Sequence, residues 1–116
     1  MENLKKIKDH QLLENFSNLV FQEREATASV VAHLAEIDRR KLYAREGYPS
    51  LFAYVTEKYD YCGGSAYRRI QAARLCGRFN EILGFIKNGR LNLMTLSLIA
   101  PHISADNKDD LIQKIM

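Results

Sequence analysis

The chain has 116 residues and a formal net charge of +3, with 47% hydrophobic and 27% charged residues. This length allows one domain, and the composition is that of a globular protein rather than of a disordered, collagen-like or purely coiled-coil chain. The apolar runs are short, as in Leu98-Ile99-Ala100. They fall far below the roughly 18 residues that a membrane-spanning helix needs, so no membrane partner is expected.

The N-terminus does not have the pattern of a signal peptide. Lysines occur early, but polar residues follow from Asp9 onward, where a signal peptide would have its apolar core. We therefore expect a cytoplasmic protein. Cys62 and Cys76 are too few and too far apart for a zinc knuckle or a disulfide scaffold, and they are interpreted as packing residues.

Two helices are predicted in the N-terminal part of the chain. Asp9 can cap the first. Its apolar residues recur every three or four positions, at Leu12, Leu13, Phe16, Leu19 and Val20. The second helix is predicted from about Glu23 to Glu46, and Gly47 can end it in a left-handed conformation. The pattern leaves open whether the two helices are separate or continuous near Gln22.

A helix, a tight turn and a longer helix are predicted next. Ser50 opens the third helix, which extends to about Tyr59. Residues 60–64 form a turn, because two consecutive glycines interrupt any regular period. Ser65 can cap the fourth helix, which continues to about Phe79.

The remaining chain is predicted to form three short helices. Asn80 can cap the fifth, which ends at Asn88-Gly89. Asn92 can start the sixth, although residues 91–98 partly alternate in hydrophobicity and a strand is the competing interpretation. Ser104 can cap the last helix.

The predicted fold class is all-α: a compact multi-helix bundle with a long second helix, in a single domain over residues 1–116. The last helix is still apolar at Met116, where the sequence ends. We therefore expect this domain to be the N-terminal part of a longer or truncated protein.

Positive charge is concentrated in one quarter of the chain. Residues 64–90 contain six basic residues against one acidic residue, a balance of +5. The basic residues are Arg68, Arg69, Arg74, Arg78, Lys87 and Arg90. Such an asymmetry indicates a binding site for a polyanion.

The fourth helix carries the candidate binding residues. At 100° per residue, Tyr67, Gln71, Arg74 and Arg78 align between two apolar sides of this helix. Arg68 and Arg69 flank this stripe near the N-terminal turn. Arginine can bind guanine or phosphate through two hydrogen bonds, and glutamine can pair with adenine, so these six residues are the predicted DNA-binding set.

The segment from about residue 50 to 79 has the order of a helix-turn-helix unit. The usual glycine at the start of the turn is absent, with Asp60 nearby, and Tyr61 occupies the usual hydrophobic position of the turn. A solvent-exposed arginine face on an ordinary bundle helix is the competing interpretation.

Several segments together resemble a known family. They are Gly47-Tyr48 with Ser50-Leu51-Phe52, the run Ala66-Tyr67-Arg68-Arg69-Ile70-Gln71-Ala72-Ala73-Arg74, Gly89-Arg90-Leu91 with Leu96, and Ala100-Pro101-His102. In order and spacing they resemble the helical region that precedes the nuclease domain in bacterial HNH endonuclease-like proteins. The similarity extends from about Leu12 to the end of the chain.

This resemblance implies a DNA-associated module followed, in a longer protein, by an HNH nuclease domain. No HNH segment is present here. An HNH site needs a histidine base and further ligands around a divalent metal, whereas His10, His33 and His102 lie on different predicted elements without ligand spacing. We therefore expect no enzymatic activity, no metal site and no cofactor in these residues.

Two functions are predicted from the sequence. The first is a non-catalytic domain that binds double-stranded DNA through helix 65–79 and is associated with an HNH endonuclease-like protein. The alternative is a protein-interaction or dimerisation module that binds no nucleic acid. It would use the apolar face from Ala26 to Leu42 or the last helix.

Overall fold

A computed structural model describes residues 3–115. These residues form seven α-helices and no strand, which confirms the all-α multi-helix bundle. The helices are α1 (Asp9–Arg40), α2 (Leu42–Arg45), α3 (Leu51–Ala53), α4 (Gly63–Arg78), α5 (Glu81–Lys87), α6 (Leu93–Ile99) and α7 (Lys108–Ile115). A 3₁₀ turn at Leu4–Lys6 precedes α1, and a π-helical turn at Tyr54–Lys58 continues α3.

Helix α1 is continuous across Gln22, which settles the question that the pattern left open. No glycine or proline interrupts these 32 residues. At 1.5 Å per residue the helix is about 48 Å long, close to the 49 Å longest dimension of the molecule. The long second helix predicted from Glu23 is therefore the C-terminal part of one longer helix.

The predicted end of this helix at Glu46 is wrong. Lys41 takes a left-handed conformation, with a φ angle of 53°, and its N–H donates to carbonyl groups of the last turn of α1. Residues 42–45 then form the separate turn α2. Gly47 has a φ angle of 91°, so it does have the left-handed conformation predicted for it.

Helix α4 is the centre of the bundle and packs against α1, α3, α5 and α6. Small side chains let its neighbours approach closely: Ala66, Ala72 and Ala73 are buried. The larger buried residues of the core come from all parts of the bundle, including Val31, Leu51, Ile82 and Leu96. Two buried sides on α4, as predicted, leave one face for solvent.

Of the six predicted N-terminal caps, two are present, at Ser50 and Asn92, and three are wrong, at Asp9, Ser65 and Ser104. Helix α1 has Lys8 rather than Asp9 at its N-cap, and Asn80 is at the N-cap of α5 but makes no side-chain capping hydrogen bond. The Ser50 hydroxyl accepts a hydrogen bond from the Ala53 N–H, and the Asn92 side chain accepts one from the Thr95 N–H. Ser65, in contrast, lies inside α4, which begins at Gly63. Ser104 also caps no helix.

The last two helices differ in how well the sequence predicted them. Residues 93–99 form helix α6 rather than the competing strand. Helix α7 begins only at Lys108, because the Asn107 side chain closes a turn by accepting a hydrogen bond from the Ser104 N–H. The start predicted at Ser104 is therefore wrong.

The first half of α1 extends the bundle at one end. Among the described residues, none before Ala28 is buried. The radius of gyration is 16.8 Å, against about 13 Å for a compact domain of this length. The core therefore lies between the second half of α1 and the helices that follow it.

Candidate nucleic-acid interface

The exposed face of α4 carries the four residues that the spacing aligned. Tyr67, Gln71, Arg74 and Arg78 line one groove of about 380 Å³. The opposite sides of this groove are the start of α3, at residues 50–52, and Ala100 after α6. The structure therefore brings these four predicted residues together on one accessible surface, which we call the α4 stripe.

Each side chain of the stripe has a defined partner. The Gln71 amide donates to the Tyr67 hydroxyl. The Arg74 Nε donates to Asp38 Oδ2 over 3.4 Å, and an Arg78 guanidinium nitrogen donates to the Ile103 carbonyl over 3.4 Å. A guanidinium has five N–H donors, and each of these contacts uses one. Four donors of each guanidinium therefore remain for an anion, but the carboxylate of Asp38 competes with that anion for the positive charge of Arg74.

Arg69 does not belong to the stripe. It lies two positions after Tyr67, which turns it by about 200° around the helix. Its guanidinium carbon is 5.3 Å from the centre of the Tyr61 ring, and the group donates to the Ser65 carbonyl over 3.2 Å. Arg69 thus holds the turn before α4 against the helix.

Arg68 takes an intermediate position beside the stripe. Its side chain is half-buried, and its guanidinium lies 3.4 Å from the place where a Cβ atom on Gly64 would stand. The side chain therefore folds back along the first turn of α4. A glycine at position 64 leaves room for it.

The basic segment 64–90 does not form one continuous surface. Arg74 pairs with Asp38, whereas Lys87 lines a shallow groove beside Glu25. Both acidic residues belong to α1 and are 13 positions apart, which corresponds to about 20 Å along the helix. The charge balance of +5 is therefore divided between distant parts of the bundle.

Arg39 is a neighbour of the α4 stripe that was not predicted from the sequence. Arg39, Arg74 and Arg78 line a second groove of about 560 Å³ between α1 and α4, together with Glu36 and Asp38. The run of basic residues at the end of α1 was a signal for such a site. The packing of α1 against α4 was needed to place it beside Arg74.

Arg39 is engaged by a neighbouring carboxylate. Its Nε donates to both oxygens of Glu36 over 2.9 Å, and Arg40 adds a further hydrogen bond of 3.1 Å. The hydrogen bonds from Arg39 are the main cause of a Glu36 pKa lowered to about 2. Glu36 therefore keeps its negative charge at neutral pH and offsets part of the arginine charge in this groove.

The connection before α4 has one unusual backbone conformation. Residues 59–62 join the π-helical turn to α4. Asp60 has a φ angle of 59°, so it takes the left-handed conformation that glycine usually supplies. Tyr54 and Val55 are buried on one side of this connection, and Tyr61 packs against the core.

The cysteines and histidines form no cluster in residues 3–115. No three His, Cys, Asp or Glu side chains in this range are placed to hold one metal ion. Cys62 is exposed and Cys76 is buried, and both are free thiols. Burial raises the pKa of the Cys76 thiol to about 11.

Comparisons with family models, with curated proteins and with solved structures give no match. No helix in the described part of the chain is long and apolar enough to cross a lipid bilayer.

Proposed function

We propose that this chain is a non-catalytic, all-helical domain that binds duplex DNA through the α4 stripe. The observation that supports it most is the presence of Tyr67, Gln71, Arg74 and Arg78 on one exposed helix face. Arginine and tyrosine side chains can bind phosphates, and arginine and glutamine can also read base edges in the major groove. Arg68 contributes from beside the stripe, and Arg69 acts by positioning.

A helix-turn-helix mode of binding is consistent with the local geometry. Helix α3 with its π-helical turn, the connection 59–62 and α4 follow in the order of that unit, with α4 as the recognition helix. The left-handed Asp60 supplies the bend that a glycine gives in many such turns. The buried Tyr54 and Val55 fix the first part of the unit to the core.

The resemblance to HNH endonuclease-like proteins supports a place for this domain beside a nuclease domain. In such a protein, this domain would supply affinity for DNA, and the nuclease domain would supply the metal-dependent cleavage. The proposal assigns no catalytic residue to this chain.

Fluorescence anisotropy with a labelled duplex at two salt concentrations tests the DNA-binding proposal. Binding should weaken with salt, with a log–log slope of about −0.9 for each phosphate contact. The double variant Arg74→Ala/Arg78→Ala should bind more weakly and lower the magnitude of this slope by about 2. The matched control Lys87→Ala/Arg90→Ala removes the same charge from residues outside the α4 stripe.

The outcome separates the proposal from a general charge effect. Equal losses of DNA affinity in both double variants would mean that binding depends only on the net charge of the chain. Absence of binding to the unmodified chain at low salt would refute the proposal. It would leave the alternative, a helical protein-interaction or dimerisation module that binds no nucleic acid.

A further inference from the structure

The first half of α1 carries an apolar stripe of its own. At 100° per residue, its members fall within an arc of about 120°. The members are Leu12, Leu13, Phe16, Leu19 and Val20, which we call the N-terminal stripe. Leu13 is 69% exposed, Phe16 64% and Leu19 60%.

The N-terminal stripe continues the face that α1 turns to the core. Val31 and Leu34 lie in the same angular range and are buried in the second half of the helix. The segment from Gly89 to Leu93 reaches this face as far as Glu23, with which it lines one groove. In the turns of α1 before Glu23, no described side chain on this face is buried by other parts of residues 3–115.

The area of the stripe is sufficient for a small symmetric interface. A fully exposed leucine or phenylalanine has an area of roughly 200 Å², so the stripe exposes on the order of 500 Å². Two copies facing each other would bury about 1,000 Å² from these residues alone, which is the lower limit for a specific interface. Flanking side chains would add to this area.

The charges at the two ends of the stripe are complementary in an antiparallel arrangement. Lys8 and Asp9 precede the apolar residues, and Glu23 and Arg24 follow them. If Leu12 faces the partner's Leu19, antiparallel geometry also places Lys8 opposite the partner's Glu23.

We propose that this protein forms a two-fold symmetric dimer in which the N-terminal stripes of two copies pack antiparallel. The interface is isologous, so the contact between Lys8 of one copy and Glu23 of the other occurs twice. It uses neither the α4 stripe nor the face from Ala26 to Leu42, of which Leu34 is already buried in the protein's own core. The dimer is therefore independent of DNA binding.

Analytical ultracentrifugation of the 116-residue chain without DNA tests the dimer. The unmodified chain should show a concentration-dependent dimer, and Phe16→Glu should raise the dimer Kd by about tenfold or more, because it places a charge at the centre of the interface. Leu98→Glu is the matched control, since Leu98 is 69% exposed on α6. It should leave the Kd unchanged. Circular dichroism verifies that both variants remain helical.

Charge exchange tests the orientation. Lys8→Glu or Glu23→Lys alone should weaken the dimer, and the double variant should recover it, because the opposite charges then meet again. A chain that stays monomeric at its highest soluble concentration would overturn the proposal, whatever else covers the stripe. A dimer that tolerates Phe16→Glu would also overturn it, and failure of the double variant to recover would overturn the antiparallel arrangement.

Discussion

The ion pair between Arg74 and Asp38 gives the sharpest prediction about the α4 stripe. The two side chains are 3.4 Å apart, and that of Arg74 is mostly exposed. Asp38 is therefore an intramolecular competitor for the arginine that would bind a phosphate. Asp38→Asn removes this competitor while keeping nearly the same side-chain volume, so we expect it to strengthen DNA binding.

The distance sets the size of the expected effect. Two unit charges at 3.4 Å attract each other by about 1.2 kcal/mol in bulk water, and exposed pairs contribute about 0.2–1 kcal/mol in practice. Release of Arg74 should therefore raise the DNA affinity by about 1.4- to fivefold at low salt. The free energy of unfolding should change by less than about 1 kcal/mol.

The measurement is fluorescence anisotropy with the same duplex, and Glu14→Gln is the control. It makes the same change in net charge, but Glu14 is 24 positions from Asp38 on α1, or about 36 Å. This distance exceeds the Debye length of about 10 Å at 0.1 M salt. An equal gain in both variants would show that the DNA affinity follows only the net charge of the chain, and no gain in Asp38→Asn would contradict a competition between Asp38 and phosphate for Arg74.

Three further predictions concern the fold. At pH 8 a thiol reagent should modify exposed Cys62 rapidly and Cys76 only on unfolding, because burial raises the Cys76 pKa to about 11. Gly47→Ala and Gly89→Ala should each lower the free energy of unfolding by about 1–2 kcal/mol, because both glycines have a positive φ angle. The new Cβ at position 89 would displace only the flexible end of Arg24, so the two losses should be similar in thermal unfolding; no loss in either variant would contradict this. Ile82→Ala should lose about 2–5 kcal/mol in urea unfolding, since Ile82 is fully buried; a smaller loss would mean that the core closes around the cavity.

Features that depend on local periodicity could be predicted from the sequence. The stripe of α4 follows from spacings of four, three and four, and the caps at Ser50 and Asn92 follow from side-chain chemistry. The direction of Arg69 also follows from helix geometry, because a shift of two residues turns it away from Tyr67. The sequence places Arg69 beside the stripe, and its inclusion in the DNA-binding set stays a prediction.

Features that depend on distant residues could not be predicted. The Arg74–Asp38 pair joins residues 36 positions apart. The basic side chains of residues 64–90 lie on separate parts of the surface because they pack beside different turns of α1, as Arg74 does at Asp38 and Lys87 at Glu25. The end of α1 at Lys41 had no local signal, because lysine is not a residue that favours the left-handed conformation. Tertiary packing decides all three.

The central position of α4 has a consequence for its dynamics. A helix that packs against α1, α3, α5 and α6 cannot open without separating most of the core. Its amides should exchange with solvent only through global unfolding, whereas those of the exposed first half of α1 should exchange through local fraying. A ligand on the α4 stripe therefore meets a backbone that is already ordered, so little conformational entropy is lost on binding.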